Sequence, residues 1–280
     1  MPRPSVIELG EGRELSRIPI LFEDRSVIAI DKPAGWMLVP FTWQTTRRNL
    51  PAAITSSIKA GDFWAKSRNL KMLRNVHRLD AETTGILLWV KSIGAVKPFS
   101  DLFKSRKIKK TYLAVVDGIP RAKEWSCRDA LARDPDTIGR MQIDRKQGQE
   151  AETHFRVIET LQGKTLIEAR PTTGRTHQIR VHLLQAGCPI VGDTLYHPED
   201  TNPRADQLFP MGLRAVGLEY ADPFQRRKVR IQAPASTFLR AFGFSPTAWT
   251  PSRSATSNPS TSKKKSPKRT PNEHTPQTGC

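Results

Sequence analysis

The chain has 280 residues, with 45 Lys and Arg against 27 Asp and Glu, and a formal net charge of +18 at pH 7. That length suits one large domain or two small ones, and so large a positive excess favours a polyanionic partner, nucleic acid first. The three cysteines form no C-x-x-C pair, and the sequence lacks a signal-peptide core and a membrane-length apolar run, so we expect a cytoplasmic protein that binds no membrane.

The first predicted elements form a hairpin. Residues 1–17 are polar and are expected to be irregular, whereas residues 20–22 and 27–30 are short strand-forming runs. The turn at residues 31–35, Asp-Lys-Pro-Ala-Gly, ends the second strand because Pro removes a backbone donor. Lys32 in this turn is a candidate phosphate contact, with a solvated turn lysine as the alternative.

A short polar loop before a buried strand carries the residue around which the chain is organised. Residues 49–60 are predicted to form a helix, and a basic stretch then leads to His-Arg-Leu-Asp at residues 77–80. The apolar run at residues 86–90 predicts a buried strand directly afterwards. Such a loop holds Asp80 where a substrate reaches it, although a lone loop Asp more often caps a turn or pairs with a surface Arg.

The middle of the chain combines a helix with strands. Apolar residues at spacings of three and four predict an amphipathic helix over residues 93–103, which ends in a cluster of Lys and Arg. Residues 111–116 are predicted to form a strand with Tyr112 near its start. Residues 119–148 lack a clean period and are expected to be loops and a peripheral hairpin. Two further strands are predicted, at residues 150–160 and 164–169.

The second informative stretch, residues 171–183, is a strand-to-helix turn. Thr176 is the predicted N-cap of the helix, and Arg180 then lies near the helix start. His177 and His182 are five residues apart and do not share a face as the histidine pair of a zinc helix does. No metal site is therefore predicted.

The end of the chain divides into a last ordered part and a tail. A strand at residues 229–233 and a short helix at residues 236–242 are predicted to close the domain. From residue 246 Ser, Thr, Pro and Lys predominate, and such a segment cannot offset its ordering entropy by burial. The predicted organisation is an irregular segment at 1–17, one folded domain at 18–245 and a disordered basic tail at 246–280.

Four side chains, those of Asp80, Arg78, Tyr112 and Arg180, make a possible site of one carboxylate, two guanidinium groups and one phenol. With the motifs around them, the chain resembles the RluA-type family of RNA pseudouridine synthases over roughly residues 21–235. One motif alone would be weak evidence, whereas four in the family's order are highly specific. The motifs are residues 31–35, His77-Arg78-Leu79-Asp80 with Thr84-Gly85, Lys109-Lys110-Thr111-Tyr112, and residues 174–182 with Gly192-Asp193.

The resemblance implies an α+β domain built around a long, bent, mostly antiparallel sheet, with flanking helices and a central RNA-binding cleft. It implies an isomerase that converts a uridine within RNA to pseudouridine by breaking the glycosidic bond, turning the base and rejoining it through ring carbon five. No cofactor is implied. The expected partner is a stem-loop of rRNA or tRNA. No obligate protein partner is evident, so we expect a monomer. The folded domain at residues 18–245 is expected to be the catalytic domain.

The resemblance also implies residue roles. Asp80 matches the nucleophile, Arg180 the arginine paired with it, Tyr112 the tyrosine that stacks on the base, and Arg78 the arginine that occupies the gap left by the flipped base. A guanidinium within about 4 to 6 Å favours the ionised carboxylate that attack requires, so Arg180 is the natural partner. The motifs supply further candidate RNA contacts, at His77, Lys32, Arg175, His177 and Gln178.

Two other classes of protein share part of this pattern. A protein kinase is excluded because Asp62-Phe63-Trp64 lacks the required Gly and precedes the catalytic-loop-like motif. A non-catalytic RNA-binding or ribosome-assembly protein on the same fold stays the alternative, although the intact Asp80, Tyr112 and Arg180 argue against it. One departure from the family is Leu213-Arg214-Ala215 in place of Leu-His-Ala, which leaves the local contact there open.

Overall fold

The computed structural model describes residues 4–10, 15–39, 48–197 and 207–251, which form thirteen strands and five helices. The strands are β1 (Val6–Leu9), β2 (Ser16–Glu23), β3 (Val27–Lys32), β4 (Arg74–Asn75), β5 (Thr84–Val90), β6 (Lys109–Asp117), β7 (Glu124–Cys127), β8 (Leu131–Arg133), β9 (Met141–Ile143), β10 (Thr153–Leu161), β11 (Lys164–Pro171), β12 (Leu213–Ala221) and β13 (Lys228–Gln232). The helices are α1 (Leu50–Ala60), α2 (Phe63–Lys66), α3 (Ile93–Lys104), α4 (Gln178–Gln185) and α5 (Ser236–Ala241).

One large sheet organises the described residues. Its path is β1-β2-β3-β5-β12-β6-β11-β10-β7, with β13 beside β12 and β4 beside β5, while β8 and β9 form a separate hairpin. Paired strands are antiparallel except for β5 and β12, which run parallel. The predicted α+β class with a mostly antiparallel sheet is therefore confirmed.

The parallel junction of β5 and β12 explains the glycine that follows the Asp80 loop. Gly85 lies opposite Ala215, and a β-carbon added to it would lie 2.1 Å from the carbonyl oxygen of Ala215. Its φ of +106° also favours glycine. Ala215 pairs on its other side with Tyr112 of β6, so the close approach of three strands brings the Asp80 loop and Tyr112 to neighbouring positions.

Three apolar clusters hold helices against this sheet. The largest joins β3 and β5 to α1 and α3, and includes the fully buried Ile54 and Phe99. A second joins Phe238 of α5 to apolar residues of β6 and β11. A third packs α4, through Ile179 and Leu183, against the same two strands. Because α4 is fixed along its apolar side, its polar first turn is held at one place on the sheet.

The predicted boundaries of the folded domain were wrong at both ends. Residues 1–17 are not all irregular, since β1 pairs with β2 and Ile7 is fully buried while its neighbour Glu8 is exposed. At the other end Trp249 is buried, and its indole nitrogen donates a 2.7 Å hydrogen bond to Glu168. One apolar side chain therefore extends the fold past residue 245. Residues 252–280 of the predicted tail lie outside the described residues.

Other differences arise where side chains are satisfied by distant partners. The sequence did not predict β12, because Arg214 and Gly217 interrupt its apolar pattern; Arg214 is nevertheless buried, and its guanidinium forms hydrogen bonds of 2.9 and 2.7 Å with Asp31. The predicted N-cap Thr176 was also wrong, since His177 caps α4. Within the described ranges no helix has the length and apolar character needed to cross a membrane.

Candidate active site

A cleft of about 340 Å³ opens between the loop before β5, strand β6 and the turn before α4. Most of the predicted site residues line it, which brings together segments that are separated by up to a hundred residues of chain. Ligand pockets are commonly a few hundred Å³ and carry a few convergent polar groups. The predicted residues in its lining are His77, Arg78, Asp80, Tyr112, Arg175, His177, Gln178 and Arg180.

Asp80 presents its carboxylate to this cleft. The side chain is 26% exposed, so solvent and substrate reach it. Its Oδ2 lies 3.2 Å from Nη1 of Arg180, and its Oδ1 lies 3.9 Å from Nε2 of His177. A carboxylate that is open to the cleft and oriented by a guanidinium on one oxygen is placed to act as a nucleophile.

Arg180 is held between two carboxylates. Its Nε and Nη2 each donate a 2.7 Å hydrogen bond to Asp193, whose side chain is fully buried. Burial alone would lower the pKa of Arg180, but its hydrogen bonds and charge interaction with Asp193, together with Asp80, raise that pKa. The bidentate pair fixes the guanidinium plane, so the remaining nitrogen is aimed at Asp80.

Tyr112 supplies an aromatic ring and a neutral phenol. It lies in β6 and lines the cleft. Burial, and secondarily the charge of Asp80, raises the pKa of Tyr112 above its ordinary value. The phenol therefore stays protonated at neutral pH and can take part in proton transfer only through its hydroxyl, not as a standing phenolate.

Arg78 reaches across the cleft. Its guanidinium donates a hydrogen bond to the hydroxyl of Thr176, 98 residues along the chain. The contact joins the loop before β5 to the turn before α4, and it is exposed. Arg175 lies beside it at the rim, where its Nε donates a 2.9 Å hydrogen bond to the carbonyl of Glu150. Both side chains can exchange these exposed contacts for a phosphate.

Lys32 was wrongly predicted to contact RNA. Its side chain is fully buried, and Nζ donates hydrogen bonds to the carbonyls of Pro33, Ala81 and Thr83 at 3.0, 2.7 and 3.0 Å. Burial lowers the pKa of Lys32 to about 7, and the charges of Glu82 and Asp80 oppose that shift. Lys32 therefore holds the backbone that follows Asp80 and does not reach a phosphate.

Gln178 lines the cleft, and the RNA contact predicted for it stays a prediction. It is buried at the start of α4, and both ends of its amide are occupied. Its Oε1 accepts from the hydroxyl of Thr173 and the backbone N–H of Arg175, and its Nε2 donates to Glu152 and Thr153. Since a side-chain amide has this limited set of donors and acceptors, Gln178 orders the turn before α4.

His77 lines the cleft but is bound to the sheet. Its Nε2 accepts a 2.9 Å hydrogen bond from the backbone N–H of Leu88, and its ring stacks on Phe103 with centroids 4.5 Å apart. Burial, assisted by the nearby charge of Lys110, lowers the pKa of His77 to about 3. Nε2 of His77 therefore serves as an internal acceptor, and the RNA contact predicted for His77 stays a prediction.

The lowered pKa of His77 predicts a specific acid sensitivity. Folded His77 stays neutral down to pH about 3, whereas the unfolded residue titrates near 6.5, so the unfolded state binds more protons between these values. The control variant is His77→Gln, whose Oε1 can accept the hydrogen bond from Leu88 but does not titrate. Below pH 6.5 we expect the free energy of unfolding of the wild type to fall, relative to that of His77→Gln, by about 1.4 kcal/mol per pH unit. Urea unfolding of both proteins from pH 7 to 4 measures the difference, and parallel curves would contradict the expectation.

Three residues of this region were not among the predicted site residues. Asp193 orients Arg180, Tyr196 lies against His177, and Lys110 lines the cleft with its ammonium group donating to the carbonyl of Thr173. Asp193 and Lys110 belong to the family-like motifs Gly192-Asp193 and Lys109-Lys110-Thr111-Tyr112, so a sequence signal for them was present. Tyr196 had none, because nothing local indicates that it packs on α4.

The sequence of this chain is similar to those of known RNA-modifying enzymes. The model of the RNA pseudouridylate synthase family matches residues 26–185. Ribosomal large subunit pseudouridine synthase D of Nitrosomonas europaea is 35% identical over 238 residues, covering 81% of this chain and 65% of that protein. Ribosomal large subunit pseudouridine synthase C of Yersinia pestis is 31% identical over 229 residues, covering 79% of this chain and 67% of that protein. The chain thus spans about two thirds of the length of these relatives.

A solved structure shows the same fold. Human RNA pseudouridylate synthase domain containing 1 superimposes with a TM-score of 0.58 at 25% identity, covering 78% of this chain and 83% of that chain. The family match begins just before β3 and ends at the last residue of α4, so it includes Asp80, Tyr112 and Arg180. The predicted family is confirmed: this chain belongs to the RNA pseudouridylate synthase family.

Proposed function

We propose that this protein isomerises uridine to pseudouridine within structured RNA, with Asp80 as the nucleophile, Arg180 as its orienting cation and Tyr112 as the aromatic platform for the base. The observation that carries the proposal is the open carboxylate of Asp80, 3.2 Å from a guanidinium that Asp193 holds in a bidentate pair. Membership of an isomerase family supports the reaction class.

The cleft fits a nucleotide that has left its stack. A base within a stem-loop cannot reach Asp80 until it flips out, at a cost of a few kcal/mol. Contacts between cations and phosphates offset that cost. The cleft lining supplies five cationic side chains for this purpose, Arg78, Lys104, Arg106, Lys110 and Arg175.

The reaction places one demand on the carboxylate by either route. On either route an ionised oxygen of Asp80 must form the new bond. If it attacks the ribose, it bonds to C1′ as the bond from C1′ to N1 breaks; if it attacks the pyrimidine, it adds to ring carbon six, and the bond from C1′ to N1 breaks afterwards. The base then turns and C5 bonds to C1′. The bond to Asp80 breaks and regenerates the carboxylate, and the proton on C5 passes to water. The charge of Arg180 supports the ionised oxygen before the attack, and the ring of Tyr112 can hold the free base by stacking.

We propose ribosomal RNA as the target class, since two relatives are named for the large ribosomal subunit. We also propose that the protein acts as a monomer in the cytoplasm. Asp80, Tyr112 and Arg180 all come from one chain and meet in one cleft, which supports a monomer. The free thiols of Cys127 and Cys188 suit a reducing compartment.

Tritium release tests the proposal directly. Ribosomal RNA transcribed with uridine tritiated at C5 is incubated with the protein, and formation of the C1′–C5 bond releases tritium to water. We expect stoichiometric release from a small number of sites. An RNA-binding or ribosome-assembly protein on this fold would bind the transcript without release, and that result would replace the proposed function with the alternative.

Arg78→Ala is expected to impair flipping more than binding. The side chain lies across the cleft mouth, where it can occupy the gap left by the target base, so its loss should lower kcat/KM by about 10- to 100-fold. The Kd for RNA should change by less than about threefold, since one exposed phosphate contact of several is lost. The fluorescence of 2-aminopurine placed beside the target uridine measures flipping.

The matched control is Arg17→Ala, which removes an exposed arginine that pairs with Glu8 at a sheet edge. That variant should flip and turn over RNA as the wild type does. An equal loss of binding and turnover in Arg78→Ala would show a phosphate contact and no role in flipping.

A further inference from the structure

A chain of polar contacts leads from the backbone of β9 to the candidate nucleophile. The N–H of Met141 donates a 2.8 Å hydrogen bond to the hydroxyl oxygen of Tyr196. That hydroxyl lies 2.9 Å from Nδ1 of His177. On the other side of the same ring, Nε2 of His177 lies 3.9 Å from Oδ1 of Asp80. The mechanism proposed above uses neither Tyr196 nor His177.

The first contact decides where the protons lie. A backbone N–H can only donate, so the oxygen of Tyr196 accepts from Met141. If Nδ1 of His177 also donated, the phenol proton would have no acceptor among the described residues, and leaving a buried donor unpaired is unfavourable. The phenol therefore donates to Nδ1, which leaves the ring proton on Nε2, the nitrogen that faces Asp80.

The surroundings of Tyr196 keep its phenol protonated and its ring in place. Burial raises the pKa of Tyr196 to about 12, so the phenol retains its proton. Its ring lies 4.9 Å from the guanidinium carbon of Arg180 and 5.5 Å from that of Arg140. Two cations against one ring fix its position and hence the direction of its hydroxyl.

His177 stays neutral although carboxylates lie near it. Burial lowers the pKa of His177, and the positive charges of Arg180 and Arg78 lower it further, whereas Asp80 and Asp193 act in the opposite direction. The backbone of His177 has a φ of +53°, an unusual conformation for a residue with a side chain. It places the ring at the start of α4 between Tyr196 and Asp80.

We propose that His177 is a positioning residue that presents a neutral Nε2–H donor to Oδ1 of Asp80, and that Tyr196 fixes the required tautomer. The inference rests on the proposed role of Asp80 as nucleophile. Arg180 and His177 then hold one oxygen each, and 3.9 Å closes to a hydrogen bond by a small rotation, as apo geometries commonly do when substrate binds. Each oxygen keeps a free lone pair for attack.

The assignment also limits the proton chemistry. A nitrogen that carries a proton toward the cleft cannot accept the proton that leaves C5. His177 is therefore a donor to the carboxylate and not the base of the reaction. Removing the donor should disfavour the ionised carboxylate, which affects turnover through its pH dependence and leaves RNA affinity unchanged.

Nitrogen NMR of the imidazole tests the tautomer without any substrate. The ¹⁵N shifts of protein labelled at histidine, assigned with His177→Gln, are expected to show a protonated Nε2 and a bare Nδ1 at neutral pH. Tyr196→Phe should move the ring toward the other tautomer. A protonated Nδ1 in the wild type, or an unchanged tautomer in Tyr196→Phe, would overturn the inference.

A pair of substitutions tests the donor in turnover. The amide of His177→Gln reaches the place of Nε2 and can donate to Asp80, whereas the shorter amide of His177→Asn replaces only Nδ1. We expect kcat of His177→Asn to fall by about 10- to 100-fold with KM unchanged, and the acid limb of its pH profile to move to higher pH. His177→Gln should recover most of the rate and the wild-type profile.

The outcomes separate this inference from the proposed function. If the wild type releases tritium but both variants lose equal activity with unmoved pH profiles, His177 is merely structural and the inference fails alone. If the wild type releases no tritium from any RNA, the proposed function fails, while the NMR result still decides the tautomer.

Discussion

Asp80→Asn is expected to abolish pseudouridine formation, with a fall in single-turnover rate of roughly 10⁴-fold or more, as loss of a nucleophile commonly causes. The amide keeps the shape of the carboxyl group but has no ionised oxygen to form the covalent bond. Binding should survive, because the five cationic side chains of the cleft stay in place. Tritium release under single-turnover conditions gives the rate, and fluorescence anisotropy of labelled RNA gives the Kd.

A second Asp→Asn change controls for the loss of one negative charge. Asp101 of α3 is half exposed and pairs with Lys97 at 2.7 Å, so Asp101→Asn should keep wild-type turnover. The affinity of Asp80→Asn for RNA should equal or exceed that of the wild type, since a negative charge is removed from a basic cleft. Measurable tritium release by Asp80→Asn at more than about a tenth of the wild-type rate would reject Asp80 as the nucleophile.

The sequence predicted the elements that carry the site better than it predicted what supports them. The apolar run of β5 and the Asp80 loop before it were predictable because strand periodicity and turn chemistry are local properties. Tyr112 on its strand and Arg180 near its helix start were predictable for the same reason. The structure then adds that Ala215 of β12 lies between Gly85 and Tyr112, a relation that no local pattern contains.

Lys32 shows why the remaining predictions failed. A lysine beside Pro and Gly in a turn is ordinarily solvated, and a basic protein makes a phosphate contact a reasonable expectation. Here two of its three acceptors are carbonyls about fifty residues away, at Ala81 and Thr83. In the folded protein the ammonium group of Lys32 is therefore buried and holds the backbone that follows Asp80. Gln178 also has partners that are distant in sequence, the carbonyl of Glu152 and the hydroxyl of Thr153 at the start of β10.

Arg214, which stands where the family resemblance expects His, also binds a partner that is distant in sequence. The family resemblance placed a His there, and the sequence gives no hint of what an Arg would meet on an apolar strand. In the structure the buried guanidinium of Arg214 forms a bidentate pair with Asp31, the residue before Lys32. This ion pair joins β12 to the end of β3, where Lys32 supports the Asp80 loop, so the changed residue stays part of the framework of the site.

Arg180→Ala is expected to lose both turnover and stability. The change leaves Asp193, fully buried, without its bidentate partner, and breaking such a pair typically costs about 3–5 kcal/mol of unfolding free energy. Arg145→Ala, at an exposed 2.8 Å pair with Asp129, should cost far less, because solvent screens that pair. Urea unfolding of the two variants measures both values.

A double change separates the two roles of Arg180. In Arg180→Met with Asp193→Asn the buried charge is gone, and the amide oxygen can still accept from the backbone N–H groups of Leu195 and Tyr196. Replacing a buried ion pair by neutral groups of similar size is often close to neutral, so we expect at least about 2 kcal/mol of the lost stability to return. Turnover should stay lost, because Asp80 has still lost the cation on its Oδ2. Recovery of tritium release along with stability would show that Arg180 only supports the fold.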